Sequence, residues 1–271
     1  MKSAHHDATA RFWSIASTWL QPLLIVGVAV LAVIRGAENI NYRWQWYRIG
    51  DYLWVTEGNT SSAGPLIKGL LVTLEISLFS LILTLLIGLV AALLRLSSSI
   101  IGRVLARGYL ELIRNTPLLI QLYVIYFVLG PILGWERLTT AVVGLALFQG
   151  AYTAEIFRAG LLAIPRGQVE AGESLGLTRW DNYRYIILPQ VIRHMMPPLT
   201  NEAVSLIKNS SIVSVIAIFD LTTEGRNLIA ETFLTFEIWL TVAAIYLAVT
   251  IALSFAAAVA DGQVLHQAPK P

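Results

Sequence analysis

Two charged residues, Glu155 and Lys208, lie in stretches otherwise apolar enough to sit in lipid. Ionisable groups at such positions face a bundle interior or a watery path, and they pair with one another or with other polar groups. An ion pair between Glu155 and Lys208 would account for both charges being tolerated. Other polar side chains gather near them: Gln149, Tyr152 and Thr153 on one segment, and Asn201, Ser205, Lys208, Asn209 and Ser211 on the next. Asn201, Ser205, Lys208 and Ser211 recur at i, i+4, i+7 and i+10, which places them on one stripe of a helix. Ser205 and Thr153 fit the role of cross-helix hydrogen-bonding groups. Gln149, Tyr152, Glu155, Lys208, Asn209 and Ser211 are the candidates to line or gate a path for a polar solute. Bond-making chemistry is poorly served. The chain has no cysteine, so thiolate nucleophiles and thiolate metal sites are excluded. Its four histidines, His5, His6, His194 and His266, show no metal-ligand spacing. No phosphate-binding glycine loop and no G-x-S-x-G or H-E-x-x-H motif occurs.

The elements that must carry these groups are membrane helices. Of 271 residues, 56% are hydrophobic and only 13% charged, about half the charged share of an ordinary soluble domain. A formal net charge of +2 gives no basis for nucleic-acid binding. Runs long enough to span predict an all-α integral membrane protein with six transmembrane helices, near 15–34, 67–94, 112–134, 138–158, 197–219 and 238–260. The first follows Lys2 and Arg11 and lacks a small-x-small site after it, so it reads as a retained span and not a cleaved signal. With both termini cytoplasmic, twelve Lys and Arg fall inside and six outside, as the positive-inside rule requires. Residues 41–54, dense in Trp and Tyr, read as an interfacial segment on the outer surface, and 58–65 as a polar turn into the second span.

The loop at 160–189 is long for a helical membrane protein. It is too polar to span, yet helical in pattern. Residues 167–175 predict a short helix with Glu170 and Glu173 on one face and with Val169 and Leu175 as apolar contacts. Gly176 would end it in the left-handed conformation. Asp181 would cap a second helix running to Pro189.

Glu170-Ala171, Gly176, Ile186, Leu188 and Pro189 resemble the EAA loop of bacterial ABC importer permeases: E-A-A, three residues, Gly, nine residues, then I-x-L-P. Gly172 departs from it, standing where the second alanine is usual, at a cost of about 1 kcal/mol in a helix interior. The run from Arg114 through Asn115, Thr116, Pro117, Leu118, Leu119 and Ile120 to Gln121 is similar to the RGTPLLVQ-type signature of the polar amino acid permeases. Gly150-Ala151-Tyr152-Thr153-Ala154-Glu155 with Arg158-Ala159-Gly160 looks like their AY-x-(S/A)E-x-x-RAG segment. Lys208-Asn209-Ser210-Ser211 resembles their K-(D/N)-S-S element.

The resemblance covers about 65–260. It implies a five-helix importer core there, an added N-terminal helix with an aromatic periplasmic segment at 1–64, and a cytoplasmic tail at 261–271. It implies that Val169, Glu170, Ala171, Gly172, Glu173, Ser174, Leu175 and Gly176 couple the permease to an ATPase. The implied partners are two ATP-binding-cassette subunits, a second permease chain (the same or related) and a periplasmic amino-acid-binding protein delivering a polar amino acid. ATP and Mg would sit on the ATPase, with no cofactor in this chain, and the location would be the bacterial inner membrane. A stand-alone channel or an ion-coupled secondary transporter using Glu155 and Lys208 is the rival reading. It leaves the EAA-like loop without a use.

Overall fold

A computed structural model describes residues 42–57 and 60–266, together with Leu24, Gly27, Val28, Leu31, Arg35 and Gly36, which are helical. The predicted first span and the end of the tail lie largely outside the described residues. Residues 46–271 form one compact unit, separate from 1–45.

The unit opens with a 3-10 turn at Trp46–Arg48 and a short helix, α1 (Ile49–Leu53). An antiparallel hairpin follows, β1 (Trp54–Glu57) with β2 (Thr60–Ala63), registered Trp54 to Ala63 and Glu57 to Thr60. The predicted polar turn at 58–65 is therefore corrected: its middle, Thr60–Ala63, is a strand, and Pro65 already opens the next helix. Five longer elements come next. They are α2 (Pro65–Leu96), α3 (Ile100–Arg114), α4 (Leu118–Leu133, with a π turn at Ile125–Leu129), α5 (Arg137–Leu162) and, after the loop, α7 (Leu188–Ser210). The loop itself carries α6 (Arg166–Ser174). A 3-10 segment, Ser211–Ile216, leads to α8 (Leu221–Thr232), and α9 (Thr235–His266) closes the chain.

Among the described residues, three helices are long and apolar enough to cross a membrane alone: α2, α5 and α9. The other two candidate spans are bent pairs. The predicted span at 112–134 begins later than expected. Its first residues finish α3, and a 110° bend separates α3 from α4. The cause is local. Pro117 has extended backbone and no N–H to continue the ladder. Gln121 turns back to fill the break, donating from Nε2 to the Ile113 carbonyl at 2.7 Å and to the Thr116 carbonyl at 2.9 Å. The span at 197–219, by contrast, starts earlier, at Leu188, and its helix ends at Ser210. Ala217 then takes a left-handed conformation (φ 54). Asp220, fully buried, restarts the chain as α8 by accepting from the Thr223 and Thr222 backbone N–H groups at 3.0 and 3.3 Å. Thr73 of α2 accepts from Leu221 N at 3.1 Å, which fixes this restart against the bundle.

Lipid offers no hydrophobic drive between helices, so small residues that permit close packing decide which ones meet. The buried face of α2 reads Gly69, Thr73, Ser77, Ser80, Thr84, Gly88 and Ala92, and it packs chiefly on α5, whose buried residues include Gly144, Ala146, Gly150, Ala151 and Ala154. Thr153, expected to hydrogen-bond across helices, instead presents its methyl to Gly88; its hydroxyl has no partner among the described residues. At the Pro65 end of α2, Ile49 of α1 joins Leu66, Leu221, Leu228, Leu234 and Ile238 in a buried cluster.

A Cβ at residue 88 would lie 2.7 Å from Thr153 Cγ2 and 3.2 Å from the Ala154 nitrogen. Gly88→Val is expected to destabilise the fold by about 1–3 kcal/mol, read as a lower thermal midpoint in detergent. A midpoint equal to that of the unsubstituted chain would contradict the close crossing.

Candidate functional site

Two predicted path residues, Gln149 and Asn209, meet Glu202 at the α5–α7 crossing. Gln149 of α5 donates through Nε2 to the Glu202 carboxylate of α7, and its Oε1 accepts from Asn209 Nδ2 at 3.3 Å. Gln149 is buried, and Glu202 and Asn209 are half-buried. Glu202, with Leu206 and Asn209, sits at i, i+4 and i+7. Spacing alone points to the adjacent stripe and gives no signal for Glu202. That stripe, Asn201, Ser205, Lys208 and Ser211, looks away from α5: Asn201 and Lys208 are exposed, while Ser205 and Ser211 are half-buried. The Ser211 hydroxyl donates to the Lys208 carbonyl at 2.8 Å. Tyr152 stands at the edge of the same surface, its ring against Phe148 at 5.2 Å.

Glu155 does not pair with Lys208, and that expectation is corrected. Its carboxylate is ringed by arginines: Arg95 at the end of α2, Arg158 one turn along α5 at 2.9 Å, and Arg114 at the end of α3 at 3.6 Å. The arginines win because they end two neighbouring helices on the same side of the bundle as Glu155. The carboxylate thereby fastens α2, α3 and α5 where they emerge together. Tyr109 of α3 adds a hydrogen bond to the Leu147 carbonyl of α5 at 2.6 Å.

The loop forms the helix the sequence predicts, Arg166–Ser174 against an expected 167–175. Its end is a Schellman motif: Leu177 N–H reaches the Gly172 carbonyl at 3.2 Å and Gly176 N–H the Glu173 carbonyl at 3.0 Å. Gly176 has φ +76, which only glycine adopts readily. The second helix is capped by Thr178 and not by Asp181. Thr178 Oγ1 accepts from Asp181 N–H at 3.2 Å and donates to the Asp181 carboxylate, so Asp181 is the capped residue and Thr178 the cap. A short turn, Arg179–Asp181, and a π-helical turn, Asn182–Ile187, then run without interruption into α7. Glu170, Ala171, Glu173, Ser174, Leu175 and Gly176 are exposed, Val169 is half-buried and Gly172 is buried. Leu175 is 79% exposed on a polar loop, an apolar group facing neither core nor an apolar helix surface.

The model of the family described as binding-protein-dependent transport system inner membrane component matches residues 84–270. A glutamine transport system permease protein of Escherichia coli K12 is 42% identical over 193 residues, 70% of this chain and 88% of the relative. An octopine transport system permease protein of Rhizobium radiobacter is 37% identical over 192 residues, covering 67% and 78%. The crystal structure of an amino acid ABC transporter with histidines superposes with a TM-score of 0.68 at 38% identity, over 73% of this chain and 94% of that one. An inward-facing methionine ABC transporter, at 23% identity and a TM-score of 0.61, shares the fold.

The arginine ring sets a prediction. Glu155→Gln leaves clustered arginines without their counter-charge and is expected to cost about 1–2 kcal/mol at this partly exposed site. In a double-mutant cycle on thermal stability in detergent, it should couple to Arg95→Gln and add simply with Lys208→Gln. Coupling to Lys208 in place of Arg95 would overturn the assignment.

Proposed function

The chain belongs to the family of binding-protein-dependent transport system inner membrane components, and from that membership we propose that it is the permease subunit of an ATP-driven importer of polar amino acids. The observation that carries this reading is the exposed helix α6, with Leu175 at its end, joined by a four-residue link and then a short helical turn and a π turn to the helix that bears Glu202 and Asn209. A helix that a partner can grip is joined to a helix that lines a polar crossing.

The mechanism reads from the outside inward. A periplasmic binding protein delivers a polar amino acid to a path formed with a second permease chain, the same or related. Gln149, Glu202 and Asn209 offer it two amides and a carboxylate, groups that hydrogen-bond an amino acid's charged ends. Tyr152, Lys208 and Ser211 stand on the side of α7 and α5 that a second permease chain would complete. Glu155 holds the inner gate by fastening three helix ends. Two ATP-binding-cassette subunits, carrying the ATP and Mg, grip residues 169–176, and their closure tilts α6 and α7 to alternate access. This chain supplies path and lever and no bond chemistry or cofactor.

In the membrane, residues 65–260 form the importer core, preceded by an added helix and aromatic periplasmic segment at 1–64 and followed by a cytoplasmic tail at 261–271. Six spans with both ends in the cytoplasm of a bacterial inner membrane satisfy the distribution of Lys and Arg. An ion-coupled carrier driven by Glu155 and Lys208 is disfavoured by the arginine ring that occupies Glu155.

Two variants test separate parts of this reading. Leu175→Asp is expected to abolish co-purification of the ATPase subunits from mild detergent. Glu202→Gln is expected to leave that complex intact and to lower ATP-driven uptake into proteoliposomes by about tenfold, the loss of one charge-assisted hydrogen bond. Glutamine, octopine and histidine are the first substrates to try. Intact chain recovered with no ATPase, or Glu202→Gln transporting like the unsubstituted chain, would contradict the coupling and path assignments respectively.

A further inference from the structure

Gly172 breaks the E-A-A pattern, and the structure gives a reason. Asn182, at the start of the π-helical turn, is 2% exposed and packs directly on Gly172. Its Nδ2 donates to the Val169 carbonyl at 2.8 Å, and its backbone N–H reaches the Thr178 carbonyl at 2.9 Å. Its Oδ1 lies so close to Gly172 that a Cβ there would sit 2.6 Å from it and 2.7 Å from Cγ. Real contacts of that kind do not occur, so the usual alanine at 172 and this asparagine exclude each other in the observed geometry. The exclusion is steric and mutual: Gly172 makes the room, and Asn182 fills it and bonds back to the helix that provides it.

The position of the pair gives it consequence. Only four residues, 175–178, separate α6 from the turn that begins at Arg179, and one of them is the left-handed Gly176. A link of that kind is a natural pivot, because glycine there has wide backbone freedom. Asn182 spans it from behind, joining the α6 backbone at Val169 to the start of the segment that becomes α7. A weaker contact, Gln190 Nε2 to Gln168 Oε1 at 3.4 Å, lies beside it. Without the Asn182 bridge, a force applied to α6 would swing that helix about Gly176. With it, the force reaches α7 and the Gln149–Glu202–Asn209 crossing.

We infer that Asn182 is a positioning residue that locks the coupling helix to α7, and that Gly172 is the matched partner permitting the lock. The functional consequence rests on the importer reading; the lock itself does not. The test is a set of three variants, Gly172→Ala, Asn182→Ala and the double change, made in the full chain and its complex. Two readouts are taken: amide hydrogen exchange over 166–187, and amino acid taken up per ATP hydrolysed in proteoliposomes.

Each single change is expected to speed exchange over α6 by about fivefold or more and to lower uptake per ATP by a similar factor, the size of an interaction between directly contacting residues. On the Asn182→Ala background, Gly172→Ala is expected to do no further harm, since its methyl then enters vacated space. Equal damage from Gly172→Ala on both backgrounds, or no change in exchange from either single substitution, overturns the lock. Faster exchange with uptake per ATP unchanged overturns the positioning role and keeps the contact. A complex that binds no ATPase and takes up nothing on ATP fails the importer reading, and the exchange data still decide the lock.

Discussion

The close approach of α2 and α5 at Gly88 and Thr153 is the constraint from which the rest of the arrangement follows. Lipid surrounds both helices, so burial of apolar surface gives no reason for them to touch; shape does. α2 is 32 residues long, or about 48 Å at 1.5 Å per residue, which exceeds a hydrocarbon core of about 30 Å. Its small residues recur along one face for most of that length. α5 lies against much of it, while α8 meets its Gly69 end, and this fixes which way Gln149 and Glu155 point.

The same contact separates two kinds of polar chemistry that the sequence places side by side. Gln149 and Glu155 are six residues apart on α5, yet they serve different neighbours. Gln149 meets α7 and shares hydrogen bonds with Glu202 and Asn209. Glu155, nearer the helix end, meets the ends of α2 and α3 and gathers arginines. An amide bridge at a helix crossing can exchange partners at small cost, which suits a path for a solute. A carboxylate held by several guanidinium groups is a fastening, because releasing it would leave like charges facing one another.

Breaks in the helices matter as much as the helices. Pro117 and Ala217 stop two apolar runs that hydropathy alone would draw as single spans. In both places a buried polar side chain, Gln121 or Asp220, satisfies the backbone that the break exposes. Irregular backbone persists at membrane depth only where protein supplies such partners. These breaks turn α3 through 110° from α4 and set α8 at 50° to the preceding helix.

The sequence by itself determined the elements whose signals are local. Apolar length marked α2, α5 and α9 within a few residues. Glycine chemistry at Gly176 and the spacing of the loop predicted α6 almost to its ends, because a left-handed cap and a short amphipathic run are properties of neighbouring residues. Only the tertiary structure decided the partners. Lys208 lost Glu155 to arginines from helices that no periodicity links to it. The face of α7 that meets Gln149 of α5 is that of Glu202 and Asn209, about 100° round from the stripe the spacing suggested. Asn182 met Gly172 across a turn, and Thr153 offered its methyl where its hydroxyl was expected to act. A side chain's type and spacing are written in the chain, but which neighbour it meets depends on how whole helices cross, and those crossings are set by steric fit between residues far apart in sequence.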